Sequence, residues 1–315
     1  MSQPMSTVHP SGRAPASAVP GTDAAWFRRL AHGRGAWPAV PALLFVFVML
    51  ALPLAVLFAF GFLTIERGRV IPSSFTVAHY QRILSDSLSW LLFWRSFKLG
   101  VATTLLCLVL GYPVAYLYTL AGPTVRKLLL IAVISPLLTS ALVRTYAWLV
   151  ILGGRRGLLN AILLGLGIVD TPIRILNTDW AVLIGLTQVH LPFMILPLIA
   201  ALASRDRFLE EASANLGAGR LETFFRIVVP LSLPGIAAGT ALVFALSYTN
   251  FIIPQLLGGG SYSTVAVKVY EQTIVILDWA TGAVLAALLL GSCFTFVLLI
   301  TWTANRAMAW RERAR

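Results

Sequence analysis

"SRDRFLEEASANLGAGRLETFFRIVVPLSLPGI", residues 204–236, is a polar interruption between two long apolar runs, and its reading decides that of the whole chain. Ser204 or Asp206 is placed to cap a helix, and Asp206, Glu210 and Glu211 put negative charge near its N-terminus. Leu209, Ala212, Ser213 and Leu216 follow i, i+3, i+4, i+7 spacing and share one weakly apolar face, while Glu210, Glu211 and Ala214 lie largely on another. Gly217 is expected to end the helix, because glycine readily takes the left-handed cap conformation. A second helical piece carries Phe224, Phe225, Ile227 and Val228 until Pro230 and Pro234 break it. The small side chains of Ala212, Ser213 and Ala214 leave room for another protein surface. The plain alternative is a solvated connecting loop with an ordinary capped helix.

The runs on either side set the class. Of 315 residues, 58% are hydrophobic and 11% charged, where a soluble domain carries about 25% charged residues. Apolar stretches fall at about 41–63, 96–120, 128–152, 180–202, 235–257 and 281–304. Each has about 20–25 residues, enough to cross about 30 Å of hydrocarbon at about 1.5 Å per residue. The expected fold is an all-α polytopic membrane protein, with a transmembrane domain over 37–305. The first stretch exceeds the roughly 7–15 residues of a signal-peptide core, so it is expected to remain as an uncleaved span. Cys107 and Cys293 lie inside apolar runs with no metal or redox spacing, as small buried hydrophobes would.

The net charge of +12 lies in short segments between the runs, which points to membrane topology rather than nucleic acid. With the N-terminus inside, fourteen basic residues fall on inner segments, nine on outer segments, and Arg144 within a span. That bias places both termini and residues 203–234 in the cytoplasm. Residues 1–36 read as a disordered tail ending in a basic patch, and 306–315 as a basic C-terminal tail. "FTVAHYQRIL" (75–84) and "GLLNAILLGLG" (157–167) are expected to lie along the outer surface as short helices. No internal repeat and no matching pair of broken helices is visible.

The loop resembles the EAA signature of permease subunits from binding-protein-dependent ABC importers. Glu211-Ala212-Ser213 is followed by Gly217-Ala218, then Ile227-Val228-Val229-Pro230 and Pro234-Gly235-Ile236, with Ser213 in place of the second alanine. Further stretches, "LGYPVAYLY" (110–118), "LVRTYAWLVILG" (142–153), "HLPFMILPL" (190–198) and "PQLLGGG" (254–260), resemble the spermidine/putrescine-type branch. The resemblance implies a type I importer permease fold, with six transmembrane helices and a cytoplasmic coupling helix in a bacterial inner membrane. It implies three kinds of protein partner: a cytoplasmic ATPase dimer, a second permease (typically a different chain) and a periplasmic solute-binding protein. Glu210, Glu211, Ala212, Ser213, Leu216, Gly217 and Ala218 would form the surface seated on the ATPase, the carboxylates pairing with its basic groups.

ATP and Mg would bind the partner, not this chain, which contains no G-x-x-x-x-G-K-[ST] loop. Nor does it contain an H-E-x-x-H or G-x-S-x-G motif, so it is expected not to be an enzyme and to hold no metal. Candidate translocation-path residues are Ser140, Arg144, Tyr146, Ser247, Tyr248 and Asn250. Ser140 and Arg144 share a face, and Thr240, Ser247, Asn250 and Pro254 follow i, i+7, i+10, i+14 spacing and form a polar stripe. Arg144 has a second reading as a snorkelling or helix-bridging arginine, and Gln188 and His190 one as interhelical hydrogen-bonding groups. A cavity arginine would repel a polyamine, and no span carries an interior Asp or Glu. Aromatic rings at Tyr146, Trp148 and Tyr248 could supply cation–π contacts instead. The solute therefore stays open between a polyamine and another small solute, such as an amino acid-like compound, organic acid or phosphonate. A stand-alone secondary transporter is the remaining alternative.

Overall fold

The computed structural model describes residues 40–66, 69–154, 157–205, 208–260 and 262–313. The tail expected over 1–36 and the cap expected at Asp206 lie outside them. Contacts divide the chain at Val56/Leu57 into two compact units. In the first, residues 40–56 belong to α1 (Val40–Phe60), a helix of unbroken apolar sequence that includes Pro53.

The second unit begins with a feature the sequence reading missed. β1 (Leu63–Glu66) and β2 (Arg69–Phe75) form an antiparallel hairpin. The ring of Phe62 stacks between Phe75 and Tyr80, each 4.9 Å away, and so holds the hairpin to α2 (Ala78–Ser85). Asp86 then starts α3 (Ser87–Leu120), its carboxylate accepting from Leu88 N (3.2 Å), Ser89 N (3.0 Å) and Ser89 Oγ (2.8 Å). These bonds hold its carboxyl below the usual carboxylate range, the Ser89 hydroxyl contributing most. That cap explains why α3 starts nine residues before the expected position at 96.

The third apolar run is broken, contrary to the expectation of one span over 128–152. α4 (Pro123–Ile134) runs into a 3₁₀ turn (Ser135–Leu138), and α5 (Ala141–Leu152) leaves at 95°. Pro136 lacks the N–H that would continue the ladder, and Thr139 turns its backbone and hydroxyl back onto the Pro136 carbonyl at 3.3 and 2.9 Å. α6 (Leu158–Gly165) matches the short outer helix anticipated there, and α7 (Asp179–Ala203) the fourth span.

After the polar loop comes α9 (Arg220–Leu231), which contains a π-helical turn at Phe224–Val228, and then α10 (Leu233–Tyr248), bent 63° from α9 at Ser232. The fifth span was expected to reach 257, but α10 stops at Tyr248 and a separate α11 (Ile252–Leu257) follows. Asn250 causes the restart by accepting from Ile253 N at 3.0 Å. α12 (Val265–Tyr270) ends in a π-turn (Glu271–Val275), and α13 (Trp279–Arg313) completes the chain. The segment expected as a C-terminal tail therefore continues the last helix through Arg313.

Among the described residues, four helices (α1, α3, α7 and α13) are long and apolar enough to cross a membrane, or up to six if each bent pair counts as one span. α7 is the most enclosed, packed against α3 and α10. Met194, Ile195, Leu198 and Leu202 of α7 form one buried cluster with Cys107, Ala115 and Val243. The crossings are tight because small residues face the neighbour. A Cβ on Gly235 would lie 2.5 Å from Ala201 Cβ and 2.7 Å from the Pro197 carbonyl, and one on Gly239 2.7 Å from Met194 Sδ. Both cysteines are free and buried, as expected.

Candidate functional site

The polar loop folds as its sequence suggests. α8 (Phe208–Asn215) ends with Leu216 N–H donating to the Ala212 carbonyl and Ala218 N–H to that of Ser213, both at 3.1 Å. Gly217 lies between them at φ +84°. This 6→1 closure across a left-handed glycine satisfies a carbonyl that the helix end would otherwise leave open. A Cβ on Gly217 would meet nothing within 4 Å. Backbone conformation, not crowding within the chain, therefore calls for glycine here.

What surrounds that turn points outward. Leu216 is 88% exposed, and Phe208 and Leu221 are also largely bare. Glu211, Ala212 and Gly217 are exposed beside them. Ser213 instead turns inward, its hydroxyl 3.0 Å from that of Thr223, and so pins α8 to α9. The result is a short knob with an exposed face of apolar and small residues.

Glu210 is placed differently from the sequence expectation. The sequence assigns it to a partner's basic groups, but its carboxylate lies 2.9 Å from Nε of Arg205 in the same chain, an ion pair without hydrogen-bond geometry. The Arg205 side chain is 3% exposed; its Nη2 donates to Thr119 Oγ1 at 3.3 Å and its guanidinium sits 5.2 Å from the Tyr116 ring centroid. The same end of α3 is held by Arg126, which donates to the carbonyls of Tyr118 (3.1 Å) and Thr119 (2.9 Å). Cations there suit the negative end of the helix dipole. One turn deeper, Phe224 meets Tyr112 and Tyr116 edge-on, and Tyr112 Oη lies 2.9 Å from Ser232 Oγ at the α9/α10 bend. Sequence reasoning counted Arg205 and Arg126 only as topology charges. No local pattern marks them, because their partners come from α3 and α8.

The candidate path residues are split between the core and the exposed third run, with Arg144 in electrostatic reach of His190, the partner of Ser247. Ser247 is buried, 3.0 Å from Nδ1 of His190. Tyr248 is also buried, stacked on Phe244, with its hydroxyl 2.9 Å from Ser292 Oγ. Both lie in the core between α7, α10 and α13, and the restart at Asn250 interrupts the expected stripe. His190 thus takes the interhelical bonding role that was one of its two readings. Ser140 and Tyr146 are exposed on the broken third run. Arg144 lies between them with Nε and Nη1 buried and unpartnered. Among the described residues no group of His, Cys, Asp and Glu is arranged to hold a metal.

The His190–Ser247 contact lends itself to a double-mutant cycle with His190→Ala and Ser247→Ala. We expect a coupling of about 0.6 kcal/mol, the average for such bonds in membranes, read from thermal unfolding in detergent. Additive effects would mean the two groups do not bond.

Comparison of the whole chain with known proteins shows its family. The chain is 38% identical over 265 residues to the spermidine/putrescine transport system permease protein PotB of Escherichia coli, covering 84% of this chain and 94% of that one. The chain belongs to the ABC importer permease family. The PotB of Haemophilus influenzae is 36% identical over 249 residues, covering 79% of the permease described here and 85% of its relative. No family model matches the permease. Among solved structures, a bacterial ABC transporter that imports alginate aligns with a TM-score of 0.66 at 16% identity, over 90% of this permease and 99% of that chain. The MetNI methionine ABC transporter aligns at 0.51 and 17% identity, over 71% of this permease and 98% of that chain. These likenesses carry the fold, a predominantly helical multi-pass permease subunit, which in this chain includes the β1–β2 hairpin.

Proposed function

We propose that this permease is the membrane subunit of an ATP-driven importer of a polyamine such as spermidine or putrescine. The exposed face of α8, closed by Gly217 in its left-handed turn, carries the reading. That face offers Glu211, Ala212, Leu216 and Ala218 to a groove on a cytoplasmic ATPase dimer. Closure of the ATPase moves α8, and the bundle switches between inward- and outward-facing states. A second permease, a different chain of the same fold, completes the path, and a periplasmic binding protein delivers the solute. The termini and α8 lie on the cytoplasmic side of the inner membrane.

The test is reconstitution. The permease pair, ATPase and binding protein in proteoliposomes should take up labelled spermidine only with ATP inside the compartment that faces α8. Uptake driven by an ion gradient with no ATPase present would favour a secondary transporter. One observation favours a second solute class: the unpartnered Nε and Nη1 of Arg144 suit an anionic group. Competition of spermidine uptake by a dicarboxylate or phosphonate would support that class.

Orientation is checked separately with Leu216→Cys, an exposed position that spares the Ser213–Thr223 bond. In a background with Cys107 and Cys293 replaced, an impermeant thiol reagent should label it from the cytoplasmic side only. Labelling from outside would remove the ATPase docking from this loop.

A further inference from the structure

Docking explains why α8 has its outer face, but not how its movement reaches the spans. Among the described residues, the Phe224 ring on Tyr112 and Tyr116, the Tyr112–Ser232 contact and Arg205 join the loop to the bundle, while the Ser213–Thr223 bond stays within the loop. The Phe224 and Ser232 contacts attach α9 and its bend rather than α8. Arg205 touches both α8 and α3 directly. It leaves the end of α7, pairs with Glu210 in the first turn of α8, bonds Thr119 in the last turn of α3 and lies over the Tyr116 ring.

We propose that Arg205 is a positioning residue that ties the docking helix to the cytoplasmic end of α3, so that α8 and that span move as one. This rests on the coupling reading above. The chemistry suits a tie more than a filler. A planar guanidinium can pair with a carboxylate on one edge, donate from the other and stack on a ring, a combination an ammonium cannot provide. With 3% of the side chain exposed, water competes little for the pair. If Glu210 moves, Arg205 must follow it or be left buried without its carboxylate, and removing one member of a buried pair is far more costly than removing both. Arg126 makes the receiving end rigid by holding the carbonyls of Tyr118 and Thr119. Movement delivered at Thr119 is therefore carried into α3 rather than lost as fraying.

The experiment uses the complete importer in proteoliposomes, with spermidine and its binding protein, and reads ATP hydrolysed per spermidine moved. Glu210→Gln is expected to raise that ratio about tenfold while the outer face of α8 is unchanged, and Arg205→Lys to raise it several-fold. Because a single change can hinder folding, Arg205→Met combined with Glu210→Leu replaces the pair by apolar groups. That variant should accumulate in the membrane at the wild-type level yet show the same raised ratio. A wild-type ratio in the Met/Leu variant would overturn the proposal, since the pair would then serve packing alone. If the unaltered importer shows no ATP-dependent uptake, the coupling reading fails and this assignment with it. Uptake in the wild type together with an unchanged ratio in the variants defeats only the tie.

Discussion

Gly217→Val is expected to abolish ATP-dependent uptake while leaving the permease in the membrane. Gly217 sits at φ +84°, a region that costs an L-residue about 1–2 kcal/mol and is worst for a β-branched one. Relieving that strain means giving up the turn, and with it the bond from Ala218 N–H to the Ser213 carbonyl. A strain of that size lowers the population of the docked geometry about 5–30-fold, and the new side chain also projects from the exposed face into any groove that seats it. Folding should survive, because a Cβ there meets nothing within 4 Å. Gly219→Val is the matched control. Gly219 is equally uncrowded but has φ −70°, which valine adopts without strain, so uptake should stay within about twofold of wild type. Wild-type uptake in Gly217→Val, or equal loss in both variants, would remove the conformational argument.

The second large effect concerns stability. Gly235→Val should prevent the permease from accumulating, or lower its unfolding temperature sharply in detergent. Its Cβ would be placed 2.5 Å from Ala201 Cβ and 2.7 Å from the Pro197 carbonyl. Neither is the free end of a flexible side chain, so relief requires α10 to back away from α7. Overpacking of this kind costs about 1–3 kcal/mol where neighbours can shift, and more where they are backbone. Gly239→Ala should be milder, because its nearest contact is Met194 Sδ, and a methionine side chain can move aside. Expression of Gly235→Val at wild-type level with unchanged melting would mean that the two helices do not cross here. Glu211→Lys should behave in the opposite way, with normal accumulation and lost uptake, since Glu211 is exposed and its change falls on the docking face.

Gly217 and Glu210 mark where sequence reasoning was sufficient and where it was not. The turn at Gly217 follows from local chemistry: a helix-capping pattern ends in a glycine, and the structure places that glycine in the left-handed region. The surroundings of Glu210 depend on Arg205, five residues away along the chain, and on Tyr116 and Thr119, more than ninety residues away. No spacing rule predicts that meeting. Likewise Ser247 reads as a path residue on a helical stripe until His190, 57 positions earlier, is found bonded to it.

By itself the sequence determined the predominantly helical class, the apolar runs, the exposed polar loop and its glycine turn. Each rests on hydropathy, period and backbone preference, which are properties of a few neighbouring residues. Tertiary structure alone decided which polar groups from distant elements meet, as Arg205 does with Thr119 and His190 with Ser247. The break after Pro136, the restart at Asn250 and the early start of α3 rest instead on bonds within three residues, from Thr139 to Pro136, Ile253 to Asn250 and Ser89 to Asp86, which hydropathy does not register. In a chain this apolar, hydropathy stays nearly flat across such features, because a proline, a serine or an asparagine changes the path of the backbone without making the run polar.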